Sequence, residues 1–269
     1  MNKIITTRIA FSIVIASVLM AMGIGWLITT VGSKYYPQYD QRFFNYFALF
    51  AGQGLMVIPV LLYLTFKKEP LRHRLRFHPI SWRTATTVVL IAIGVIILAD
   101  ELDRLAAWLF PAPEYLTDSN EVLTFDTWER AAIIVLGVAL LAPLGEELLF
   151  RGFLQTFLEE HWKDVTRAVL ITSLLFAAIH LNPYWVIQIY LLGVILGYLA
   201  WRTGSILGSL ILHGLNNGLA LVFNNYGDII NPLYIWKGHV SPLFLALALG
   251  LLWNGFKQLE SSFPSVRTT

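Results

Sequence analysis

The sequence contains no cysteine. A disulfide framework, a thiol nucleophile and a thiolate metal site are thereby excluded together, and redox chemistry says nothing about compartment. Charge is scarce as well: Asp, Glu, Lys and Arg make up 13% of the 269 residues, where soluble domains run near a quarter. Hydrophobic residues supply 57%, so lipid is the expected solvent and the fold class is all-α, a polytopic membrane protein. No N-x-[ST] sequon and no HExxH pair occurs. The net charge of +2 implies contact with anionic lipid and a bias in topology; no nucleic-acid partner is expected.

Runs of about 17 to 25 apolar residues are needed to cross the hydrocarbon core as helix. Eight segments approach or meet that need, some only just, at about 9–30, 43–66, 84–109, 127–158, 167–181, 184–201, 204–223 and 240–257. The chain is read as one integral domain with three stretches: residues 1–126 with the first three spans, a catalytic core at 127–225, and a last span with its tail at 226–269. The first span follows Lys3 and Arg8 and lacks a small-x-small cleavage site, so it reads as a retained helix.

The connector KKEPLRHRLRFHPISWR carries Lys67, Lys68, Arg72, Arg74, Arg76 and Arg83, which places it in the cytoplasm by the positive-inside rule. Alternation from that anchor puts both termini inside. Inside segments then hold 13 of the 19 basic residues and outside ones 5, with Arg151 within a span. A bacterial inner membrane is the expected location. The loop holding Glu114, Asp118, Glu121, Asp126 and Glu129 is a solvated outside connector, in which Asp126 and Glu129 resemble a capping box for the fourth span. Trp82, Trp162, Trp201 and Trp253 fall near span ends as interfacial anchors. Gly193/Gly197, Gly204/Gly208 and Gly214/Gly218 form small-xxx-small faces that serve internal packing or dimerisation alike, leaving oligomeric state open.

Ionisable groups inside a span cost at least about 2.5 kcal/mol each on insertion scales and therefore mark function. The fourth span contains APLGEELLFRGF, with Glu146, Glu147 and Arg151. Glu147 and Arg151 lie four apart on one face and can pair, which leaves Glu146 as the free carboxylate. Pro143, one turn earlier, removes a backbone hydrogen bond and can kink the helix beside the glutamates. The fifth span ends with Phe176 and His180; the seventh carries His213 and Asn217, four apart. At 1.5 Å per residue, Glu146, His180 and His213 lie about 18, 20 and 14 Å from their cytoplasmic span ends, so three helices bring polar groups to similar depth. A lone histidine in a helix is more often a hydrogen-bonded core residue; the shared depth is what raises these above that reading.

These residues form the motifs EExxxR (Glu146, Glu147, Arg151), FxxxH (Phe176, His180) and HxxxN (His213, Asn217) in order on consecutive core helices. The chain resembles the CPBP or Abi family, the type II CAAX prenyl endopeptidases and lysostaphin-resistance-like proteins. The resemblance covers roughly residues 127–225 and implies an intramembrane endopeptidase acting on a membrane-bound, prenylated or otherwise lipidated peptide reached from the cytoplasm. It assigns Glu146 and His180 to activating a water, His213 and Asn217 to holding the oxyanion, and Glu147 and Arg151 to support. A zinc mechanism stays open, with Glu146, His180 and His213 as three ligands and water as the fourth. The missing HExxH and the nearby Arg151 cation favour a reaction with no cofactor. Two other classes compete: a proton-coupled transporter using the same groups as a relay, and a bacteriocin self-immunity or scaffold protein.

Overall fold

The computed structural model describes residues 6–111 and 123–263. The positions of Glu114, Asp118 and Glu121 lie outside the described residues. The helices are α1 (Thr7–Tyr35), α2 (Gln41–Leu55), α3 (Ile58–Phe66), the short α4 (Leu71–Arg74), α5 (Trp82–Leu109), α6 (Trp128–Trp162), α7 (Val165–Ile179), α8 (Val186–Thr203), α9 (Ile206–Tyr234) and α10 (Pro242–Ser262). α2 and α3 form one span broken at Met56 and Val57. A two-residue hairpin, β1 (Ile235–Trp236) and β2 (His239–Val240), pairs Ile235 with Val240 in antiparallel register and departs slightly from the all-α expectation.

Among the described residues, seven helices are long and apolar enough to cross a membrane. The eighth expected span, α7, has 15 residues and rises only about 21 Å, short of a roughly 30 Å core. Helix starts follow from local chemistry: Thr6, Asp40, Ser81, Thr127, Asp164 and Ser205 each accept a hydrogen bond from a backbone N–H of the first turn. The α6 cap is thus Thr127, one residue later than the capping-box reading, because the Asp126 carboxylate accepts from Arg130 Nη1 at 2.7 Å. Arg130 also donates to Asp40, whose carboxyl is held below the usual carboxylate range by the Arg42 hydrogen bond. This exposed cluster contributes little to stability.

α6 is the axis of the bundle. Its residues Leu149 to Thr156 are all buried, with Leu149, Phe150, Leu154 and Leu158 packed against Phe176, Leu196, Leu199 and Leu212 of α7, α8 and α9. Lipid tails are as apolar as leucine, so close packing and buried polar contacts hold such helices together. Gly193 and Gly197 of α8 face Ser173, Val169 and the side chains of Arg151 and Gln155, and Gly214 of α9 faces the Ala139 carbonyl. These faces are spent inside the chain. Gly204 has another job: at φ +64° it ends α8 in the left-handed conformation. Trp253 sits near the middle of α10, 71% exposed, so it is no span-end anchor, whereas Trp82 opens α5.

The basic connector closes one end of the bundle. Arg74 donates to Glu69 at 2.9 Å and to Glu160 at 2.5 Å, Arg76 pairs with Glu159, the Arg76 carbonyl accepts from Ile206 N at 3.0 Å, and Ser205 Oγ donates to the His78 carbonyl at 2.5 Å. A Cβ on Gly152 would lie 2.7 Å from the Leu75 carbonyl oxygen, so connector backbone rests directly on α6. Gly152→Val is expected to lower the thermal midpoint in detergent, followed by helix circular dichroism, with an overpacking cost of about 1–3 kcal/mol. An unchanged midpoint would mean that the connector is not seated there.

Candidate active site

The two glutamates stand in an α-helical stretch, residues 142–147, flanked in α6 by π-helical turns at Leu136–Leu141 and Leu148–Gln155. Pro143 supplies the local cause upstream: it lacks the N–H that would close the regular ladder and its ring crowds the carbonyl four residues back. The wider turn frees the Val138 carbonyl, which accepts from Asn217 Nδ2 at 3.0 Å. The irregularity expected at Pro143 thus takes the form of π turns, a feature that recurs at functional sites.

Glu147 is fully buried and lies at the centre of a polar knot. Its Oε1 accepts from Arg151 Nη1 at 2.9 Å and lies 2.9 Å from His213 Nδ1. Arg151, also fully buried, donates Nη2 to the Gly193 carbonyl at 3.1 Å and stacks its guanidinium 4.1 Å over the Phe176 ring. A bare cation and anion here would be prohibitive; paired and hydrogen-bonded they are tolerated. The pairing predicted from the i,i+4 spacing is present, with His213 as a third member that spacing alone did not give.

Glu146 faces the other way. Its Oε2 is buried without a hydrogen bond and lies 3.7 Å from His213 Nε2, beyond direct hydrogen-bond reach. It lines two cavities with His180. One, about 540 Å³, is bounded by Phe176, His213, Asn216, Asn217 and Val138; the other, about 280 Å³, by Met22, Leu49, Gln53 and Met56. All four residues expected to do chemistry, Glu146, His180, His213 and Asn217, therefore border the larger cavity.

Backbone chemistry sets the histidine tautomers. His180 follows the last residue of α7, and its Nδ1 lies 2.7 Å from the Phe176 carbonyl. A carbonyl can only accept, so Nδ1 carries the proton and Nε2 presents a lone pair. His213 gives Nδ1 to the Glu147 carboxylate in the same way, which turns Nε2 toward Glu146. Among the described residues no three His, Asp or Glu side chains are gathered where they would hold a metal ion. The three-ligand set of Glu146, His180 and His213 is not assembled in this arrangement, and no step below passes through a metal.

Sequence reasoning gave Phe176 a place in a motif but no role, and passed over Gln155 and Asn216. Phe176 is a hub, its ring 4.9 Å from that of His180 and 5.6 Å from that of His213, beneath Arg151. Gln155, buried one turn beyond Arg151, donates to the Gly197 carbonyl at 2.9 Å and to Glu159 at 2.8 Å. The series 147, 151, 155, 159 on one helical face was the available signal. Asn216 donates to Asn217 Oδ1 at 3.3 Å and borders the larger cavity; it was hidden by its place beside the motif residue.

Fold and site together define an all-α, multi-pass membrane protein with a polar cluster inside its helix bundle. Residues 128–219 match the family model for Rce1-like proteins, type II CAAX prenyl endopeptidase Rce1-like, a partial match over α6, α7, α8 and the first half of α9. Every motif residue from Glu146 to Asn217 falls within it. The chain is similar to an uncharacterized 24.3 kDa protein of Escherichia coli, 28% identical over 65% of this chain and 80% of the relative. It is also similar to UPF0177 protein YbdI of Lactococcus lactis, 25% identical over 63% of this chain and 92% of the relative. No solved structure matches.

Proposed function

We propose that the protein is an intramembrane endopeptidase that hydrolyses a peptide bond in a membrane-bound peptide or lipidated protein. The observation that carries this reading is the shared border of Glu146, His180, His213 and Asn217 on one cavity, with one free carboxylate among them. Hydrolysis needs an activated water, a proton for the leaving amine and donors for the oxyanion.

A water between Glu146 and His180 donates one hydrogen to the Glu146 carboxylate and the other to the His180 Nε2 lone pair, which turns its own lone pair to the substrate carbonyl. Glu146 takes the proton as the oxygen–carbon bond forms. The tetrahedral oxyanion then accepts from His213 Nε2–H and from Asn217, whose amide nitrogen has a second proton beyond the one given to Val138. Glu146 passes its proton to the amine nitrogen as the carbon–nitrogen bond breaks, leaving one acid and one amine. This role requires His213 protonated on both nitrogens.

A transporter reading finds less support, because it calls for broken helices of matching form in two repeats, and the described interruptions, the break at Met56 and Val57, the π turns of α6 and the kink at Tyr226 of α9, differ from one another. Purified protein reconstituted in lipid and given a library of membrane-anchored peptides is expected to yield new termini by mass spectrometry. Intact peptides together with ion-coupled flux would overturn the peptidase reading.

A further inference from the structure

The two ends of the candidate site differ. Toward the basic connector, α6 is buried without interruption from Leu149 to Thr156. Below that, Leu75 is itself buried on Gly152 and the connector is fastened to α6 and α9 through Glu159, Glu160, Ser205 and Ile206. Among the described residues, neither cavity that Glu146 lines has a connector residue on its border.

Among the described residues, the bundle opens away from the connector. α7 starts at the connector end, after the turn at Lys163 and Asp164, and rises only about 21 Å, whereas α9 starts at the same end and rises about 28 Å before its kink at Tyr226. The α7–α8 turn carrying His180 is therefore recessed well below the far ends of its neighbours. The larger cavity extends along this recess: its border climbs α9 from His213 through Asn217, Ala220 and Leu221 to Asn224. It ends at Leu123, whose carbonyl accepts from Asn225 Nδ2 at 3.1 Å. His180 and Ala220 are exposed, and Asn216 and Asn217 stand on one wall.

We propose that substrate reaches Glu146 and His180 from the membrane face opposite the basic connector, which the positive-inside rule makes the non-cytoplasmic face. This access differs from the cytoplasmic one that the family resemblance implies. Resting on the peptidase reading, this defines the substrate class as membrane-anchored peptides that lie extended in the outer half of the bilayer with the scissile bond there.

The chain's freedom from cysteine makes the test direct. Single cysteines are placed in the cavity wall by Val138→Cys and Ala220→Cys, with Arg83→Cys as reference for the connector face and Tyr39→Cys for the opposite one. Sealed cells and inverted vesicles are treated with a membrane-impermeant maleimide. The two cavity cysteines are expected to label in the same preparation as Tyr39→Cys, and an impermeant blocker applied from that side abolishes the signal. Labelling in the same preparation as Arg83→Cys, or in neither preparation although unfolding the protein exposes the thiol, overturns the proposal. Because the readout does not involve hydrolysis, correct labelling without cleavage sinks only the peptidase reading, and cleavage with labelling from the connector side sinks only the access.

Discussion

Replacing Glu146 by glutamine lowers the rate of peptide hydrolysis by about 100-fold or more while the protein keeps its fold. Glutamine matches the carboxylate in shape but cannot take a proton from water. The loss should fall on kcat and leave KM little changed, since in the proposed mechanism Glu146 meets the water and not the peptide. Stability should not drop, because the variant buries an amide in place of an ionisable group whose Oε2 has no hydrogen-bond partner. Single-turnover kinetics on the reconstituted protein, with thermal midpoints measured alongside, check both halves. A variant retaining more than about a tenth of the wild-type rate removes Glu146 from the role of general base.

Arg151→Leu is expected to destabilise the protein by about 3–5 kcal/mol, because it strips the buried Glu147 carboxylate of its cation. Substituting both members, Glu147→Gln with Arg151→Leu, should restore much of that stability, as a buried pair can often be exchanged for uncharged groups at small cost. Activity should not return with it. His213 Nδ1 would then face an amide in place of a carboxylate and lose the acceptor that orients its Nε2 toward the cavity. Denaturation in detergent micelles and cleavage assays on the three proteins separate the effects. Recovery of stability and rate together would show that the knot serves folding alone.

The spans were legible because lipid imposes a length on apolar helices, and the polar residues because burying them is costly. Glu146, Glu147, Arg151, His180 and His213 stood out as interruptions of apolar runs, and the structure gathers them. Asn217 borders the same cavity, though one of its amide protons serves Val138. What sequence did not disclose depends on who sits opposite whom. The π turns around Glu146 are completed by Asn217 from α9, and the His180 tautomer is set by a backbone carbonyl that every residue possesses. The seal under Gly152 is backbone against backbone, for which side-chain identity carries little signal. The shortness of α7 was already in the sequence, since the run 167–181 has 15 residues, the length of the helix itself, shifted by two positions.

That shortness has a consequence for the surrounding lipid. A helix about 9 Å briefer than the hydrocarbon slab cannot tilt to fill it, since tilting only shortens its reach. The leaflet beside the α7–α8 turn must thin or let headgroups sag inward. Water then meets His180 at a depth where an undisturbed bilayer would be dry. Acyl-chain length in the host membrane accordingly governs how wet the site is, and a thick, sterol-stiffened membrane opposes the dimple.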